Sequence, residues 1–113
     1  MSLSITSEIS QDGKVATLNI LGEIDSLTAR EFKKKLELTL SEAEKLGTLK
    51  DLVLNLEGLK FMSSAGLRVF IFAHQTKPDL TIHVVKPQES IVDALDKTGL
   101  MHSVKIVSKY PES

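Results

Sequence analysis

The stretch LNLEGLKFMSSAGLRVFIF, residues 54–72, decides the fold that we predict for this chain. It passes from an apolar run typical of a central strand into two serines, an alanine and a glycine, and then into a second apolar run. The strand should therefore end, and a helix begin, at Ser63 and Ser64. We expect one of these serines to be the helix N-cap, because a serine side chain there accepts a hydrogen bond from a free backbone amide.

Upstream of this junction, apolar residues first alternate and then recur at helical spacing. Residues 3–9 and 14–22 alternate, and the QDG between them predicts an antiparallel hairpin. Thr28 and Glu31 match a capping box, and Gly47 should end the helix that follows. The predicted buried stripe of this helix is Phe32, Leu36, Leu40, Ala43 and Leu46.

Residues 49–59 read as a single apolar strand in the middle of the sheet. The predicted elements that follow are a helix over 64–75, a strand over 80–87, a helix from about Pro87 to Gly99 and a short edge strand over 103–107. The order ββαβαβαβ predicts an α/β fold, with a mixed and mostly parallel sheet of about five strands packed with helices. We expect one domain over residues 1–113, frayed at its terminal SKYPES.

Composition argues against nucleic acid and membranes as partners. The chain has 113 residues, and its 14 Lys and Arg nearly balance 15 Asp and Glu, so no overall field attracts DNA or an anionic membrane. It contains no cysteine, which suits a reducing compartment. The N-terminus lacks the pattern of a leader, and no apolar run is long enough to span a membrane. We expect a cytoplasmic protein that is a monomer when free and binds neither DNA nor a membrane directly.

No local motif indicates catalysis or a metal site. There is no glycine-rich phosphate loop, and no histidine is placed by sequence to activate a serine. The three consecutive lysines of residues 33–35 lie in a predicted helix that also contains several glutamates, as solvated helix faces do. The three histidines are not spaced to converge on a metal, and they are His74, His83 and His102. We expect no enzymatic activity and no bound metal.

Three motifs carry a family resemblance. LNLEGLKFMSSAGLRV resembles the signature of the STAS domains of bacterial anti-sigma factor antagonists, in which an apolar strand precedes Asp-Ser-Ser-Gly-Leu or Asp-Ser-Thr-Gly-Leu. LGEIDSLTA resembles that family's Gly-Glu-Leu-Asp segment after the second strand. DALDKTGLMHSVKI resembles its last helix, Gly-Leu turn and final strand. The motifs occur in the family's order and span nearly the whole chain, so the resemblance implies a single STAS domain.

The resemblance also implies site residues. The phosphorylated serine of the family lies two positions before the glycine, which corresponds to Ser64. Ser63 replaces the usual acidic residue and is a competing acceptor, while Ala65 replaces the usual hydroxyl residue. Asp25 matches the family's aspartate in the loop after the second strand, close to the serines. The implied partner-binding residues are Asp25, Ser63, Ser64, Ala65, Gly66 and Leu67.

What the resemblance implies about function is a phosphorylation-controlled partner switch. The unphosphorylated domain would bind an anti-sigma factor that is also a serine kinase and free the sigma factor, and a serine phosphatase would reset it. The domain would need no cofactor of its own, since the kinase uses ATP, although weak nucleotide binding stays open. The alternatives are a STAS component of a stressosome-like or nucleotide-sensing assembly and a small nucleotide-hydrolysing enzyme, for which the chain has no Walker-type loop.

Overall fold

Alternating apolar residues in the first two segments produce a hairpin, and the rest of the chain adds parallel strands to it through helices. The computed structural model describes residues 3–111. In chain order its elements are β1 (Leu3–Ile9), β2 (Val15–Ile24), α1 (Ala29–Glu44), β3 (Asp51–Asn55), β4 (Leu59–Met62), α2 (Ser64–Thr76), β5 (Thr81–Val85), α3 (Glu89–Lys97), a 3-10 turn (Leu100–His102) and β6 (Val104–Val107).

The strands form one sheet in the order β1-β2-β3-β5-β6. β1 is antiparallel to β2, and β2, β3, β5 and β6 are parallel to their neighbours. β4 lies off this path and pairs in parallel with the final residues of β2. These pairings confirm the predicted α/β fold with its mixed and mostly parallel sheet, and they place β6 at an edge as expected.

The apolar segment 49–59 does not form the single strand that its pattern predicts. The chain turns after β3, where the backbone amide of Glu57 donates to Asn55 Oδ1 at 3.2 Å and the amide of Leu59 donates to the carbonyl of Leu56 at 3.0 Å. An asparagine side-chain oxygen that accepts a hydrogen bond from the backbone amide two residues later stabilises a turn. The apolar residues on both sides of such a turn can still form a continuous pattern in the sequence. The sheet therefore has six strands rather than about five.

One face of the sheet carries α1, α2 and α3. Leu18, Leu54 and Val84 lie side by side on β2, β3 and β5, are at most 1% exposed, and share one apolar cluster with the buried faces of all three helices. Phe32 of α1 and Phe70 of α2 meet edge to face with ring centroids 5.8 Å apart. Each fully buried side chain of this size contributes about 1.5–3 kcal/mol, so this face supplies most of the stability.

The opposite face carries a smaller apolar cluster that consists of Val53, Val85 and Val107. Tyr110 packs against it, and its hydroxyl donates to Asp51 Oδ2 at 3.0 Å. The second oxygen of Asp51 lies 3.1 Å from His83 Nε2. The prediction that residues 108–113 are frayed is therefore wrong at Tyr110, while residues 112 and 113 lie outside the described residues.

The first helix ends at Glu44, three residues before the predicted glycine, and it buries fewer residues than predicted. The amide of Gly47 donates to the carbonyl of Glu44 at 2.9 Å, and Gly47 adopts a φ of 71°, which favours glycine at a helix end. Leu46 is 56% exposed because the chain tightens after Glu44 and rotates this side chain off the helical stripe. The remaining predicted stripe residues are buried, namely Phe32, Leu36, Leu40 and Ala43.

Candidate functional site

Two loops meet at one end of the sheet because β2 and β4 are hydrogen-bonded neighbours. Ile24, the last residue of β2, pairs with Met62, the last residue of β4. The amide of Ser63 then donates to the carbonyl of Ile24 at 2.8 Å. Asp25 directly follows Ile24, so the structure brings the predicted aspartate beside the predicted serines.

Ser63 is the N-cap of α2. Its backbone is extended, with φ −78° and ψ 171°, and its Oγ accepts a hydrogen bond from the amide of Gly66 at 3.3 Å. Its carbonyl accepts from the amide of Leu67 at 3.1 Å, which starts the helical pattern. The side chain of Ser63 is half-buried and its hydroxyl oxygen is already engaged by the helix. The expectation that one of the two serines caps the helix is thus confirmed.

Ser64 is the first residue of α2 and is exposed. Because Ser63 supplies the cap, the helix does not need the Ser64 hydroxyl for its own termination. The first turn of α2 contains no acidic residue, and helix N-termini carry a partial positive charge that favours an anion. A phosphate on Ser64 would therefore meet a favourable local field.

Asp25 closes the loop before α1. Its Oδ1 accepts hydrogen bonds from the amides of Leu27 at 2.9 Å and Thr28 at 2.8 Å. In return, Thr28 Oγ1 accepts from the amide of Asp25 at 2.8 Å. The predicted capping box of Thr28 with Glu31 is wrong, because Thr28 makes no side-chain cap bond to α1 and pairs with Asp25 instead.

These bonds also act on the ionisation of Asp25. Hydrogen bonds from the backbone and the side chain of Thr28 hold the pKa of Asp25 below its ordinary value, since they stabilise the carboxylate. Asp25 is half-buried, so part of its carboxylate stays open to a partner. The geometry therefore assigns it a structural role in the loop, whereas its predicted role in partner binding stays a prediction.

Gly66 and Leu67 face inward. A Cβ added to Gly66 would lie 2.7 Å from Met62 Cγ and 2.8 Å from Ile24 Cγ2. Leu67 is 8% exposed and belongs to the main apolar cluster. A residue larger than glycine at position 66 would therefore press on the domain's own interior, whereas the implied role of Gly66 in partner binding stays a prediction.

A groove runs from this site between α1 and α2, and we call it the α1–α2 groove. It encloses about 270 Å³ and includes half-buried Ala65. Arg30, Lys33, Arg68 and Phe72 line it together with three smaller side chains. The groove extends the predicted surface beyond the serines and Asp25.

The site presents a hydroxyl rather than activating one. Within residues 3–111, neither serine is hydrogen-bonded to a histidine or a carboxylate that could act as its base. The same part of the chain contains no group of three or more His, Asp or Glu side chains that could hold a metal ion. What this arrangement can do chemically is accept a phosphoryl group from another protein at Ser64.

Sequence reasoning missed two features of the site. The first is the pair of reciprocal hydrogen bonds between Asp25 and Thr28, which the Asp-x-x-Thr spacing in DSLT could have indicated. This spacing matches a capping motif that begins at Asp25, one turn before the predicted motif at Thr28. The cations of the α1–α2 groove lie at helical spacing on each helix. Their convergence depends on how α1 packs against α2, which no local pattern contains.

Comparisons with known proteins agree with this geometry. No helix among residues 3–111 is both long and apolar enough to cross a bilayer. The protein is similar to an anti-sigma factor antagonist from Mycobacterium paratuberculosis, with a TM-score of 0.80 and 19% identity over 96% of this chain and 88% of that one. It is also similar to the anti-sigma factor antagonist SpoIIAA in its unphosphorylated form, with a TM-score of 0.69 and 15% identity over 94% and 89%.

A third similar structure is the Bacillus cell fate determinant SpoIIAA in the phosphorylated form, with a TM-score of 0.65 and 17% identity over 94% of this chain and 93% of that one. At these identities the structures show a shared fold. The family model of the STAS domain matches residues 6–112, which is nearly the whole chain. With its six-stranded sheet and its serine pair at the start of α2, the chain belongs to the STAS domain family.

Proposed function

We propose that this protein is an anti-sigma factor antagonist whose binding is switched by phosphorylation of Ser64. Unphosphorylated, it binds an anti-sigma factor that is also a serine kinase and thereby frees the sigma factor. Membership of the STAS family and similarity to structures described as anti-sigma factor antagonists support the general role. The existence of SpoIIAA in both unphosphorylated and phosphorylated forms supports the mode of control.

The observation that carries the proposal is that only one of the two serine hydroxyls is used by the fold of residues 3–111. Ser63 uses its hydroxyl oxygen to cap α2, whereas Ser64 is exposed and is not needed as the cap. A kinase can modify Ser64 without removing the hydrogen bond that starts the helix. Modification of Ser63 would instead disturb the cap, so Ser64 is the better acceptor.

The phosphoryl transfer needs little from the domain itself. The kinase transfers the γ-phosphoryl group of ATP to Ser64 Oγ, which forms a new P–O bond, breaks the bond between the β- and γ-phosphates and releases ADP. The hydroxyl proton goes to a base on the kinase. A serine phosphatase reverses the step by hydrolysis, which returns the hydroxyl and releases inorganic phosphate. The domain is a substrate in both reactions.

Added charge explains why the partner would leave. A phosphoserine carries about −1.5 to −2 charges near neutral pH. The N-terminus of α2 stabilises this charge within the domain, so folding survives. In the complex the same charge must be desolvated against the partner, which weakens binding unless the partner supplies a cation. The proposal places this switch in the cytoplasm, on a domain that is monomeric when free and acts without a cofactor or direct DNA contact.

The test uses candidate anti-sigma kinases from the same genome. The wild-type protein, Ser64→Ala and Ser63→Ala are each incubated with a kinase and ATP, and phosphate is located by mass spectrometry. We expect phosphate on the wild type and on Ser63→Ala, and none on Ser64→Ala. Phosphate only on Ser63, or a Ser64-phosphorylated protein that binds the kinase as tightly as the unmodified one, would contradict the proposal. Phosphorylation-independent assembly into a large particle would favour the stressosome-like alternative.

A further inference from the structure

We propose that the α1–α2 groove binds an acidic segment of the protein partner. The existence of that partner rests on the proposed function. The inference adds the place where the partner docks and the chemistry of the segment that docks there. The groove begins at Ala65, the residue after Ser64, and runs along two packed helices. It is therefore continuous with the site of phosphorylation.

The charge of the groove is the first observation. Its ionisable lining residues are all cations, namely Arg30, Lys33 and Arg68. Within residues 3–111, none of the three has a carboxylate within 4.0 Å. The chain as a whole has a net charge of −1, so this concentration of positive charge is a local departure from its composition. Cations that have no carboxylate partner within the domain match a ligand that carries carboxylates.

The carboxylates of α1 lie elsewhere on the helix. Glu31 lines a depression against β1, on another side of α1. Glu37 and Glu44 line the far end of the space between α1 and α2, where Glu44 forms an ion pair with Lys77. Positive and negative side chains are therefore separated along the surface between α1 and α2, with the cations at the end near Ser64 and the two glutamates at the other end. An acidic segment is drawn to the end where phosphorylation takes place.

The groove is also partly preorganised. Lys33 Nζ lies 4.6 Å from the centroid of the Phe72 ring, so this α1 side chain reaches across to α2. Contact of a lysine with an aromatic face is favourable and restricts the side chain. Ala29 and Val69, each 5% exposed, form an apolar floor between the cations. A segment with acidic side chains and small apolar side chains fits this mixture.

Ser64 links the groove to the switch. Residues four apart on a helix are neighbours, so the side chains of Ser64 and Arg68 lie next to each other on α2. A phosphate on Ser64 is therefore within the reach of Arg68, with which it can form charge-assisted hydrogen bonds. Phosphate and an acidic partner segment then compete for the same cation. Phosphorylation releases the partner through this competition as well as through repulsion.

The first test needs no cognate partner. The wild-type protein is titrated with a blocked peptide of alternating Glu and Ala, and amide chemical shifts are followed by NMR. We expect the largest changes at Arg30, Lys33, Ala65 and Arg68. The double variant Arg30→Glu/Arg68→Glu should lose binding at least tenfold, about 1.4 kcal/mol. The matched control is Lys34→Glu/Lys45→Glu, which makes the same charge change at two exposed positions that do not line the groove, one on α1 and one directly after its last residue. It should stay within about twofold of the wild type.

Several outcomes would overturn the proposal. Absence of peptide binding, changes spread over other surfaces, or equal losses in the two double variants would each show that the groove is not a specific site. Perturbation of the groove by phosphatidylglycerol vesicles but not by the peptide would assign it to a membrane surface instead. Unchanged circular dichroism and melting temperature in both variants keep a binding loss from being confused with unfolding.

A second test separates the groove from the proposed function. The kinase that modifies Ser64 is titrated against the same two double variants. If the kinase binds and phosphorylates Arg30→Glu/Arg68→Glu like the wild type, the switch stands and the groove proposal is wrong. If no kinase modifies Ser64 while the peptide still binds the groove specifically, the proposed function fails and the groove remains an acidic-segment site. In wild-type protein phosphorylated at Ser64, peptide affinity should fall at least tenfold.

Discussion

One added methyl group at Gly66 distinguishes a packing role of this glycine from a role in partner docking. The Cβ of Gly66→Ala would lie 2.7 Å from Met62 Cγ and 2.8 Å from Ile24 Cγ2. Both distances are shorter than real Cβ contacts, so two neighbours on different strands must shift. Ile24 is 0% exposed and ends β2, so it has little room to move.

The expected magnitude follows from two opposed effects. Overpacking of this kind costs about 1–3 kcal/mol. Replacing glycine by alanine in a helix recovers up to about 1 kcal/mol of backbone propensity. We therefore expect Gly66→Ala to lower the free energy of unfolding by up to about 2 kcal/mol. For a chain of 113 residues this corresponds to a melting temperature lower by up to about 8 °C.

Urea and thermal unfolding measure this loss, and titration with the anti-sigma kinase measures binding by the folded fraction. Ser64→Ala is the matched control, since it changes one atom at an exposed position of the same helix turn and should leave stability nearly unchanged. We expect folded Gly66→Ala to bind normally. A variant that melts at or above the wild-type temperature and yet fails to bind would refute the packing argument and restore Gly66 as a docking residue.

Three further predictions concern the same end of the sheet. Ser63→Ala should lower the free energy of unfolding by about 1 kcal/mol through loss of the N-cap, and Ser64→Ala by less than about 0.5 kcal/mol, which urea unfolding would resolve. Because the pKa of Asp25 is lowered in the folded protein, its contribution to stability is present above its unfolded pKa and is lost as the pH falls through the folded pKa. When the pH falls from about 6 to about 2, the free energy of unfolding of Asp25→Asn should therefore decrease less than that of the wild type. If urea unfolding shows the same decrease in both proteins, the Asp25 carboxylate does not contribute to the acid dependence of stability. Ser64→Asp should stay folded and bind the kinase at least tenfold more weakly, a loss of about 1.4 kcal/mol that calorimetry would measure. If the protein phosphorylated stoichiometrically at Ser64 binds the kinase with the affinity of the unmodified protein, the proposed switch is wrong.

Local patterns were sufficient for the identity and order of most elements. Alternation in the first two strands and the apolar stripe of α1 each report a buried face that neighbouring residues define, so they can be read without coordinates. The same holds for the serine pair, because a hydroxyl between an apolar strand and a helical pattern is a local N-cap signal. These features depend on residues within about one or two helical turns of one another.

Where the prediction from local pattern was wrong, a hydrogen bond or a contact redirected the chain. Asn55 turns the backbone so that residues 49–59 form two strands, although their apolar pattern is continuous. Asp25 takes Thr28 as its partner and so displaces the expected capping box. In each case the local sequence is compatible with two structures. Pairing of β4 with β2 selects two strands over one for residues 49–59, and the hydrogen bonds within the β2–α1 loop select Asp25 over Glu31 as the partner of Thr28.

The sequence by itself therefore determined the α/β class, the helix that begins at the serine pair, and Ser64 as the residue to test. Only the tertiary structure decided which serine hydroxyl is engaged, that Gly66 faces Met62 and Ile24, and that Arg30, Lys33 and Arg68 line one groove. The physical reason is range. Caps and stripes arise from neighbours along the chain, whereas a groove between two helices arises from side chains more than 30 positions apart, which only packing brings together.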